Sequence, residues 1–330
     1  MILIISSNND IVTNDVIDWL VNFKAPFCRV NNTTKIIINN IIISENEIDF
    51  TLEICSLNSE VKLLRYRDIK SIWYRRGKIN IWKELFSFDK ISSEKNKEIN
   101  FYLKREQIQI EQLIDFMLCK KLHINSFKDE QRTNKLLNLI IAKECGLCIP
   151  QTYISSKKNI VTKIFKEDPP LFITKALKFG NIEFENASIG AGTVEATFNS
   201  QDVSDTFFPS LFQEKINKKW EIRTFFLHEK FYSTAIFSQN NEKTAIDFRN
   251  YDCENPNRVV PFQLPIIIEK KLSILMTKLD LNSGSIDLVY TIDKKFVFLE
   301  VNPVGQFSQV SLPANYHLEK KIAKILAYEK

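Results

Sequence analysis

The stretch that decides the fold lies near the C-terminus, where residues 285–302 read SIDLVYTIDKKFVFLEVN. The two apolar runs in it are typical of buried β-strands, and each carries one acid in its interior. If Asp293-Lys294 forms a two-residue turn, Asp287 lies directly opposite Glu300 in an antiparallel hairpin, with Cα atoms ~4.5–5.5 Å apart. Asn302 then lies on the same face as Glu300, because side chains alternate along a strand.

Two carboxylates this close repel each other unless a cation neutralises them or one is protonated. Together with the Asn302 amide they form a set of hard oxygen ligands that suits Mg²⁺, which commonly bridges phosphate groups. The pairing depends on register, because Asp-Lys is a poor sequence for a tight hairpin turn and a slip by one residue would separate the acids. The alternative is a solvated polar face on an edge hairpin.

A magnesium site implies a phosphate donor, yet the chain contains no G-x-x-x-x-G-K-[ST] loop. Lys135 and Lys175 are isolated cations in apolar surroundings, and the backbone N–H groups of Gly190 and Gly192 offer further phosphate contacts. Three of the seven glycines fall within 179–197, which favours a mobile loop. Taken alone, either lysine is better explained as a surface side chain whose stem covers apolar residues, and it is their order relative to the glycines and the terminal acids that favours a phosphate site.

The first predicted unit, residues 1–125, is an α/β domain. It begins with an apolar strand, followed by an amphipathic helix at 10–23. The apolar stripe of this helix comprises Ile11, Val16, Ile17, Leu20 and Val21. The first strand-to-helix turn has no glycine, which argues against a Rossmann domain that binds a nicotinamide or flavin dinucleotide.

Two further units follow in the sequence. Residues 126–212 contain a helix that Asp129 can cap and that ends near Gly146. Residues 213–330 alternate strands with a helix near 267–279 and end with the acid-bearing hairpin. We therefore expect three units, of which the second and third carry the candidate site.

Composition excludes several classes of protein. The 330 residues include 45 Lys and Arg against 40 Asp and Glu, and a net charge of +5 gives no support for a large nucleic-acid interface. No apolar run reaches the ~18–20 residues that span a bilayer, and the short first strand lacks the basic flank of a signal peptide. The six scattered cysteines are typical of reduced thiols, and Cys145 and Cys148 lack the further ligands of a zinc site. We expect a cytoplasmic protein.

Further motifs narrow the choice. They are Trp73-Tyr74-Arg75-Arg76, Trp220-Glu221-Ile222-Arg223, Asp247-Phe248-Arg249 and Leu299-Glu300-Val301-Asn302-Pro303-Val304-Gly305-Gln306-Phe307. With these motifs in this order, the chain resembles ATP-grasp ligases, and among them the peptide maturases of the microviridin and grasp-with-spasm (graspetide) type. The resemblance implies an α/β (α+β) ATP-grasp fold with an N-terminal pre-ATP-grasp domain (1–125), a lid subdomain (126–212) and a C-terminal subdomain (213–330).

The resemblance also implies a set of site residues, with ATP between two antiparallel sheets. It assigns the adenine to Gln213, Glu214, Lys215 and Ile216, the ribose to Glu221, and the phosphates to Lys135, Lys175 and the loop containing Gly190 and Gly192. It assigns two Mg²⁺ ions to Asp287, Glu300 and Asn302, and catalytic guanidinium groups to Arg223 and Arg249. The Trp73–Arg76 run has two interpretations, a surface for an acidic peptide or a cover for a domain edge.

The implied activity is macrocyclisation of a ribosomal precursor peptide that has a leader and a core rich in Thr/Ser and Glu/Asp. A side-chain carboxylate of the peptide is activated by ATP as an acyl phosphate. A Ser or Thr hydroxyl then forms an ω-ester, or a Lys amine an ω-amide. Relatives of this type also suggest a homodimer. The alternatives are a ligase that adds amino acids to a protein tail or small molecule, and a non-catalytic peptide-binding α/β protein.

Overall fold

The structure is a computed structural model. It describes residues 1–55, 61–79, 81, 91–166, 172–178, 181–183, 188–190, 192–196, 203–250 and 252–329. Contacts between residues group the chain into two compact units, one of Met1–Arg132 with His317–Lys330 and the other of Thr133–Tyr316. The division of the second unit at residue 212 stays a prediction.

The helices and strands of the first unit, in chain order, are β1 (Ile2–Ser6), α1 (Ile11–Asn22), β2 (Phe27–Val30), β3 (Lys35–Ile43), β4 (Ile48–Cys55), β5 (Val61–Arg65), β6 (Ser71–Arg75), α2 (Ser93–Leu118), β7 (Leu122–Ile124) and α3 (Phe127–Arg132). Those of the second unit are α4 (Lys135–Glu144), β8 (Thr152–Lys157), α5 (Lys158–Lys166), β9 (Phe172–Thr174), β10 (Asn181–Glu183), β11 (Ser188–Gly190), β12 (Val194–Glu195), β13 (Thr206–Glu214), β14 (Lys218–Leu227), β15 (Lys230–Phe237), α6 (Glu242–Ala245), β16 (Arg258–Phe262), α7 (Ile266–Lys278), β17 (Ser283–Thr291), β18 (Phe296–Asn302) and α8 (Ser308–Ala314). The last helix, α9 (Leu318–Tyr328), returns to the first unit.

The first unit is built on a parallel sheet with strand order β2-β1-β6-β7. Helix α1 begins at the predicted position, with the Asp10 side chain capping its first turn. Val16 and Leu20 are buried, but Ile11 and Val21 are 74% and 60% exposed, so the predicted stripe was wrong at its two ends. The buried face lies further round the helix than predicted, because it is formed by Val12, Thr13, Val16 and Leu20.

Three of the four residues of the Trp73–Arg76 run are buried, so they form no surface for a peptide, and Arg76 alone is exposed. Trp73, Tyr74 and Arg75 lie in the central strand β6 and are at most 2% exposed. The Tyr74 hydroxyl donates a 2.5 Å hydrogen bond to Glu130, and the Arg75 guanidinium lies 3.2 Å from the Asp10 carboxylate. Burial lowers the pKa of Arg75 to about 10. The polar groups of Tyr74 and Arg75 therefore bind side chains of the first unit itself and stabilise its fold.

The second unit contains two larger antiparallel sheets. One has strand order β12-β9-β13-β8, and the other has order β16-β15-β14-β17-β18. Under the five-stranded sheet, Ile286, Leu288, Phe298 and Val301 form a buried core with side chains of α4 and α7. The opposite face of the same strands is free to carry polar groups.

Two local predictions in the second unit were wrong. Asp129 lies inside the short helix α3, and the helix that bears Lys135 is capped instead by Asn134, whose side chain accepts from the N–H groups of Leu136 and Leu137. The described parts of 179–197 contain β10, β11 and β12 rather than a continuous loop, and Gly180 lies outside the described residues. Gly146 does end α4, with φ +77° at the position that glycine favours.

Over the part of the chain that the structure describes, every helix is too short or too polar to cross a bilayer.

Candidate active site

The hairpin of β17 and β18 brings Asp287 directly opposite Glu300, as predicted. The predicted turn was wrong, because the Thr291 N–H donates to the Lys295 carbonyl and closes a three-residue loop, in which Lys294 has φ +62°. Next to this loop the strands are paired one residue out of the predicted register, with Leu288 opposite Phe298. The slip is corrected before the acids are reached.

A β-bulge at Leu299 makes this correction. The register shifts between Asp287 and Leu288, so Leu299 has no partner of its own on β17. Phe298 lies in the core, whereas Leu299 and Glu300 both line a cavity on the other face of the sheet. The extra residue therefore turns Glu300, rather than Leu299, towards Asp287.

The cavity has a volume of about 540 Å³ and is lined by residues of both large sheets of the second unit. Among its lining residues are Ile173, Lys175, Gln213, Glu214, Lys215, Ile216, Glu221, Asp247, Arg249, Asp287 and Glu300. Most of the predicted site residues therefore meet around a single cavity, which is large enough for a nucleotide-sized ligand.

Three cations converge on the Glu300 carboxylate. Its Oε2 lies 3.2 Å from the Lys135 Nζ and 4.0 Å from the Lys175 Nζ, and its Oε1 lies 3.7 Å from the Arg249 guanidinium. The Asn302 amide donates to the same Oε1 at 3.2 Å. Lys135 and Asn302 thus reach the site through Glu300, although neither lines the cavity itself.

The two acids have opposite electrostatic environments. Burial opposes the charge of Glu300, but Lys175 and Lys135 outweigh it and lower the pKa of this carboxyl to about 2. Burial raises the pKa of Asp287, against the influence of Arg223, whose guanidinium lies 3.4 Å away. Of the two acids, Glu300 therefore holds its negative charge more firmly.

The donor set fits a divalent cation. Asp287 Oδ1 and Glu300 Oε2 are buried and accept no hydrogen bond, although a cationic nitrogen lies 3.4 Å from the first and 3.2 Å from the second. Each oxygen therefore keeps lone pairs that a metal ion could use. No cluster of three or more His, Cys, Asp or Glu side chains suitable for a metal occurs among the described residues. A metal held here would therefore take two carboxylates and the Asn302 amide oxygen, a hard set that suits Mg²⁺.

Arg249 is held by a residue that the sequence analysis did not assign to the site. Asp247 accepts two hydrogen bonds from the Arg249 side chain, at 2.8 and 2.7 Å, and one from its backbone N–H. The hydrogen bond to Asp247 raises the pKa of the Arg249 guanidinium. Burial alone would raise the pKa of Asp247, but the hydrogen bonds and charge of Arg249 outweigh it and lower that pKa. The Arg249 side chain is 45% exposed and that of Arg223 is 7%, so Arg249 is the accessible guanidinium.

At the other end of the cavity, Glu221 is buried in an ion pair. Its carboxylate accepts from the Lys218 Nζ and the Ser238 hydroxyl, each at 2.7 Å, and Lys218 also donates to the Ile246 carbonyl. Burial raises the pKa of Glu221 even so. The sequence analysis did not assign Lys218 to the site. The only sign of its role in the sequence is that it lies three residues before Glu221.

The end of β13 and the residues directly after it carry the four residues assigned to adenine, with Gln213 and Glu214 in the strand and Lys215 and Ile216 beyond it. Gln213 is 1% exposed, its amide donates to the Thr152 hydroxyl, and its carbonyl oxygen has no hydrogen-bond partner. The Glu214 N–H donates to the Gln151 carbonyl. Lys215 forms an ion pair with Glu195. Gly192 has open space around it, and Gly190 ends β11, so their contact with phosphates stays a prediction.

Comparisons with known proteins place this geometry in a fold. No protein-family model matches the chain, and no curated protein is similar to it in sequence. Solved structures do match. The macrocyclase MdnC bound with precursor peptide MdnA, from Microcystis aeruginosa MRC, is 24% identical with a TM-score of 0.73, and 99% of each chain is covered.

Two other solved structures are similar over nearly their whole lengths. A RiPP-associated ATP-grasp ligase of Chryseobacterium gregarium, in complex with ADP and a leader and core peptide, is 20% identical with a TM-score of 0.75, covering 99% of this chain and 95% of that one. The ATP-grasp ligase PsnB, complexed with minimal precursor, Mg and ADP, is 12% identical with a TM-score of 0.66, covering 98% and 96%. The chain therefore has the ATP-grasp fold.

Proposed function

We propose that this chain is an ATP-dependent ligase that closes ω-ester or ω-amide rings in a ribosomal precursor peptide. The observation that carries the proposal is the convergence of Lys135, Lys175 and Arg249 on Glu300, opposite Asp287, in a cavity of about 540 Å³. Structures of the same fold hold ADP, Mg and precursor peptides, which supports the same classes of ligand here.

In this proposal the two lysines hold the phosphates of ATP. Glu300 holds both lysine side chains at the buried end of the cavity. The cations that would bind a triphosphate are therefore in position before the nucleotide binds. Burial lowers the pKa of Lys175, against the influence of Glu300, and an added anion would favour its charged form. The adenine lies along β13, where the unpartnered Gln213 carbonyl oxygen is a suitable acceptor for an amino group.

Asp287, Glu300 and Asn302 would hold Mg²⁺, which neutralises the charge on transferring phosphate oxygens. Two ions are the expected number for this site. The chain's own role at the reacting carboxylate belongs to Arg249, because its guanidinium is accessible and is fixed by Asp247. Arg223 is nearly buried and holds Asp287, so it acts on the metal ligands rather than on the peptide.

The chemistry needs activation because a free carboxylate has no leaving group. A peptide Asp or Glu carboxylate attacks the γ-phosphorus of ATP, and the bond to the β-phosphate oxygen breaks to release ADP. A Ser or Thr hydroxyl or a Lys amine then attacks the resulting acyl phosphate, and inorganic phosphate leaves. A guanidinium beside the carboxylate orients it by paired hydrogen bonds during the first step.

The direct test uses ATP, Mg²⁺ and a candidate precursor peptide, a short chain rich in Thr/Ser and Glu/Asp. We expect the peptide to lose the mass of one water for each ring, with one ADP released per ring. Asp287→Ala should abolish both changes, whereas Ile292→Ala, at an exposed residue on the rim of the cavity, should retain them. A gain of amino-acid mass, or no release of ADP with any carboxylate-bearing peptide, would show that the proposal is wrong.

We further propose that the protein acts in the cytoplasm as a homodimer. The cysteines support the first part, because the described ones form no disulfide. An exposed strand edge of the first unit, described below, supports the second part.

A further inference from the structure

The three-stranded antiparallel sheet β3-β4-β5 of the first unit has an apolar edge. Strand β3 pairs with β4 on one side and, within the described residues, with no strand on the other. Its outward-facing Ile37 and Ile42 are 40% and 36% exposed, and Ile43 at its end is 65% exposed. A long edge strand with exposed isoleucines is a template for pairing with another strand, and proteins usually protect such edges with charges or prolines.

The sequence of β3 reads the same in both directions. Residues 36–43 are IIINNIII, with the centre between Asn39 and Asn40. If two copies of this strand pair antiparallel about that centre, isoleucine meets isoleucine at every outer position and asparagine meets asparagine in the middle. A two-fold symmetric interface requires this kind of self-complementary surface.

A bulge makes the two halves of the strand compatible with this pairing. In a regular strand, Ile37 and Ile42 would lie on opposite faces, because they are an odd number of residues apart. The register with β4 shifts between Ile38 and Asn40, and beyond that shift Ile37 and Ile42 face the same way, opposite Glu53 and Asp49 respectively. The same shift puts the outer pair Ile36 and Ile43, and the inner pair Ile38 and Ile41, on the other face.

Directly opposed residues of an antiparallel pair always share a face of the sheet. With the bulge at Asn39, each symmetric pair of isoleucines meets this condition, and without it none would. We propose that β3 is the contact between two copies of this chain, which join their three-stranded sheets into one six-stranded antiparallel sheet. Ile37 of one copy then lies opposite Ile42 of the other.

The oligomeric state tests this surface with a matched pair of lysine variants. Ile42→Lys adds a charge at the edge, where the introduced lysine faces Asp49 within its own sheet. Leu63→Lys is the control, because Leu63 lies on the opposite edge strand, is 48% exposed and faces Glu53 in the same way. We expect light scattering to show a dimer for the wild type and for Leu63→Lys. For Ile42→Lys we expect the dissociation constant to rise about 100-fold, since the change occurs twice in a symmetric interface.

Cysteine cross-linking tests the register. When Ile37→Cys and Ile42→Cys proteins are mixed and oxidised, the two new cysteines lie opposite each other and should form a disulfide. Ile37→Cys alone should not cross-link through position 37, since its two copies would be about 16 Å apart along the strands. Because the chain has six cysteines of its own, the bond is located by peptide mass mapping, with the wild type as background.

Several results would overturn the proposal. They are a monomeric wild type at tens of micromolar, a dimer that Ile42→Lys leaves intact, and a mixture in which no bond joins positions 37 and 42. If β3 amides of a monomer become protected from hydrogen exchange only when a precursor peptide is added, the edge binds peptide instead. The candidate active site belongs to the other compact unit, so these outcomes are distinct from failure of the ligase activity.

Discussion

At the scale of single residues, the environment of Glu300 explains why an acid is tolerated inside an apolar strand. The residue is 4% exposed, and its charge is balanced by Lys135, Lys175 and Arg249. An isolated buried carboxylate would be strongly destabilising, whereas one with several cationic partners keeps its charge. Glu300 therefore also acts as a support that holds the lysines in position before a nucleotide arrives.

The charge on Glu300 predicts an acid-sensitive contribution to stability. Its pKa is about 2 in the folded protein and ordinarily 4.5. A lowered carboxyl pKa stabilises the fold above the unfolded value, and this stabilisation is lost as the pH falls from 4.5 towards 2. At about 1.4 kcal/mol per pKa unit the full effect is ~3 kcal/mol. The free energy of unfolding, measured by denaturant titration without nucleotide or metal, should be lower for Glu300→Gln than for the wild type at pH 7.

The same comparison at low pH is the control. The difference between the two proteins should shrink as the pH is lowered through 4 towards 2.5, because the wild-type carboxyl becomes protonated. Equal stability at pH 7, or a difference that does not change with pH, would contradict the assignment of the charge to Glu300.

Arg249 allows peptide binding to be separated from nucleotide binding. Arg249→Ala should reduce ring formation by about 100-fold or more, in the range for loss of one charge-assisted contact at a reacting group. ATP affinity, measured by calorimetry, should change much less, because Lys135 and Lys175 remain. Asp247→Asn keeps the shape but weakens the hold on the guanidinium, so its loss should be intermediate. Equal losses of ATP binding and ring formation in Arg249→Ala would argue against a role at the peptide.

At the scale of elements, short features of the backbone decide where the site residues point. The bulge at Leu299 turns Glu300 towards Asp287, and Asn134 starts α4 one residue before Lys135. Beyond Asn302 the chain turns tightly at Gly305, where an added Cβ would overlap the Ser285 side chain. The Ser285 hydroxyl donates to the Gln306 carbonyl, and the Phe307 ring packs at a tilt against Phe225, so the residues after the acids anchor this end of the hairpin.

The cap at Asn134 can be tested directly. Asn134→Ala removes the acceptor for two N–H groups of the first turn of α4, which should cost about 1 kcal/mol of stability. The start of the helix also orients Lys135, so the Kd for ATP should rise severalfold. Asn134→Ser restores a capping oxygen and should recover most of both effects, as read from thermal unfolding and nucleotide titration. An unchanged Asn134→Ala protein would mean that packing alone positions the helix.

At the scale of the whole molecule, the chain carries a small positive charge of +5, and the cavity end around Glu300 and Asp287 is rich in cations. A substrate peptide that presents Asp and Glu side chains would be attracted by this field, while ATP is held by contacts at close range. Long-range attraction is screened over about 8 Å at physiological ionic strength. Binding of the acidic peptide should therefore depend strongly on salt, whereas binding of ATP should depend on it much less.

This difference predicts that the apparent KM for an acidic precursor peptide rises by several-fold between 50 and 300 mM salt, roughly as expected for screened attraction between a few charges. The kcat should change little, because the reacting groups are inside the cavity. A peptide of the same core with its non-reacting acids changed to amides is the control, and its KM should be nearly independent of salt. A salt-independent KM for the acidic peptide would contradict electrostatic attraction.

The fold and much of the site could be predicted from the sequence, because the residues that form them lie in short motifs with local spacing. The acids in apolar strands, the pairing of Asp287 with Glu300 and the order of lysines and arginine motifs are all visible along the chain. The turn, the cap of α4 and the ends of the α1 stripe were predicted wrongly, since each depends on how one turn of backbone is bonded rather than on residue type.

By itself, the sequence determined the ATP-grasp architecture through its resemblance to ATP-grasp ligases. It also determined that the acids must meet cations, because a buried acid in a strand requires partners of opposite charge. Only the tertiary structure decided that a one-residue bulge compensates for a slipped register and that Asp247 and Lys218 pair with the charged side chains of Arg249 and Glu221. It also decided that Trp73, Tyr74 and Arg75 are buried. The physical reason is that register and burial are set by contacts between residues far apart in the chain, which no local pattern specifies.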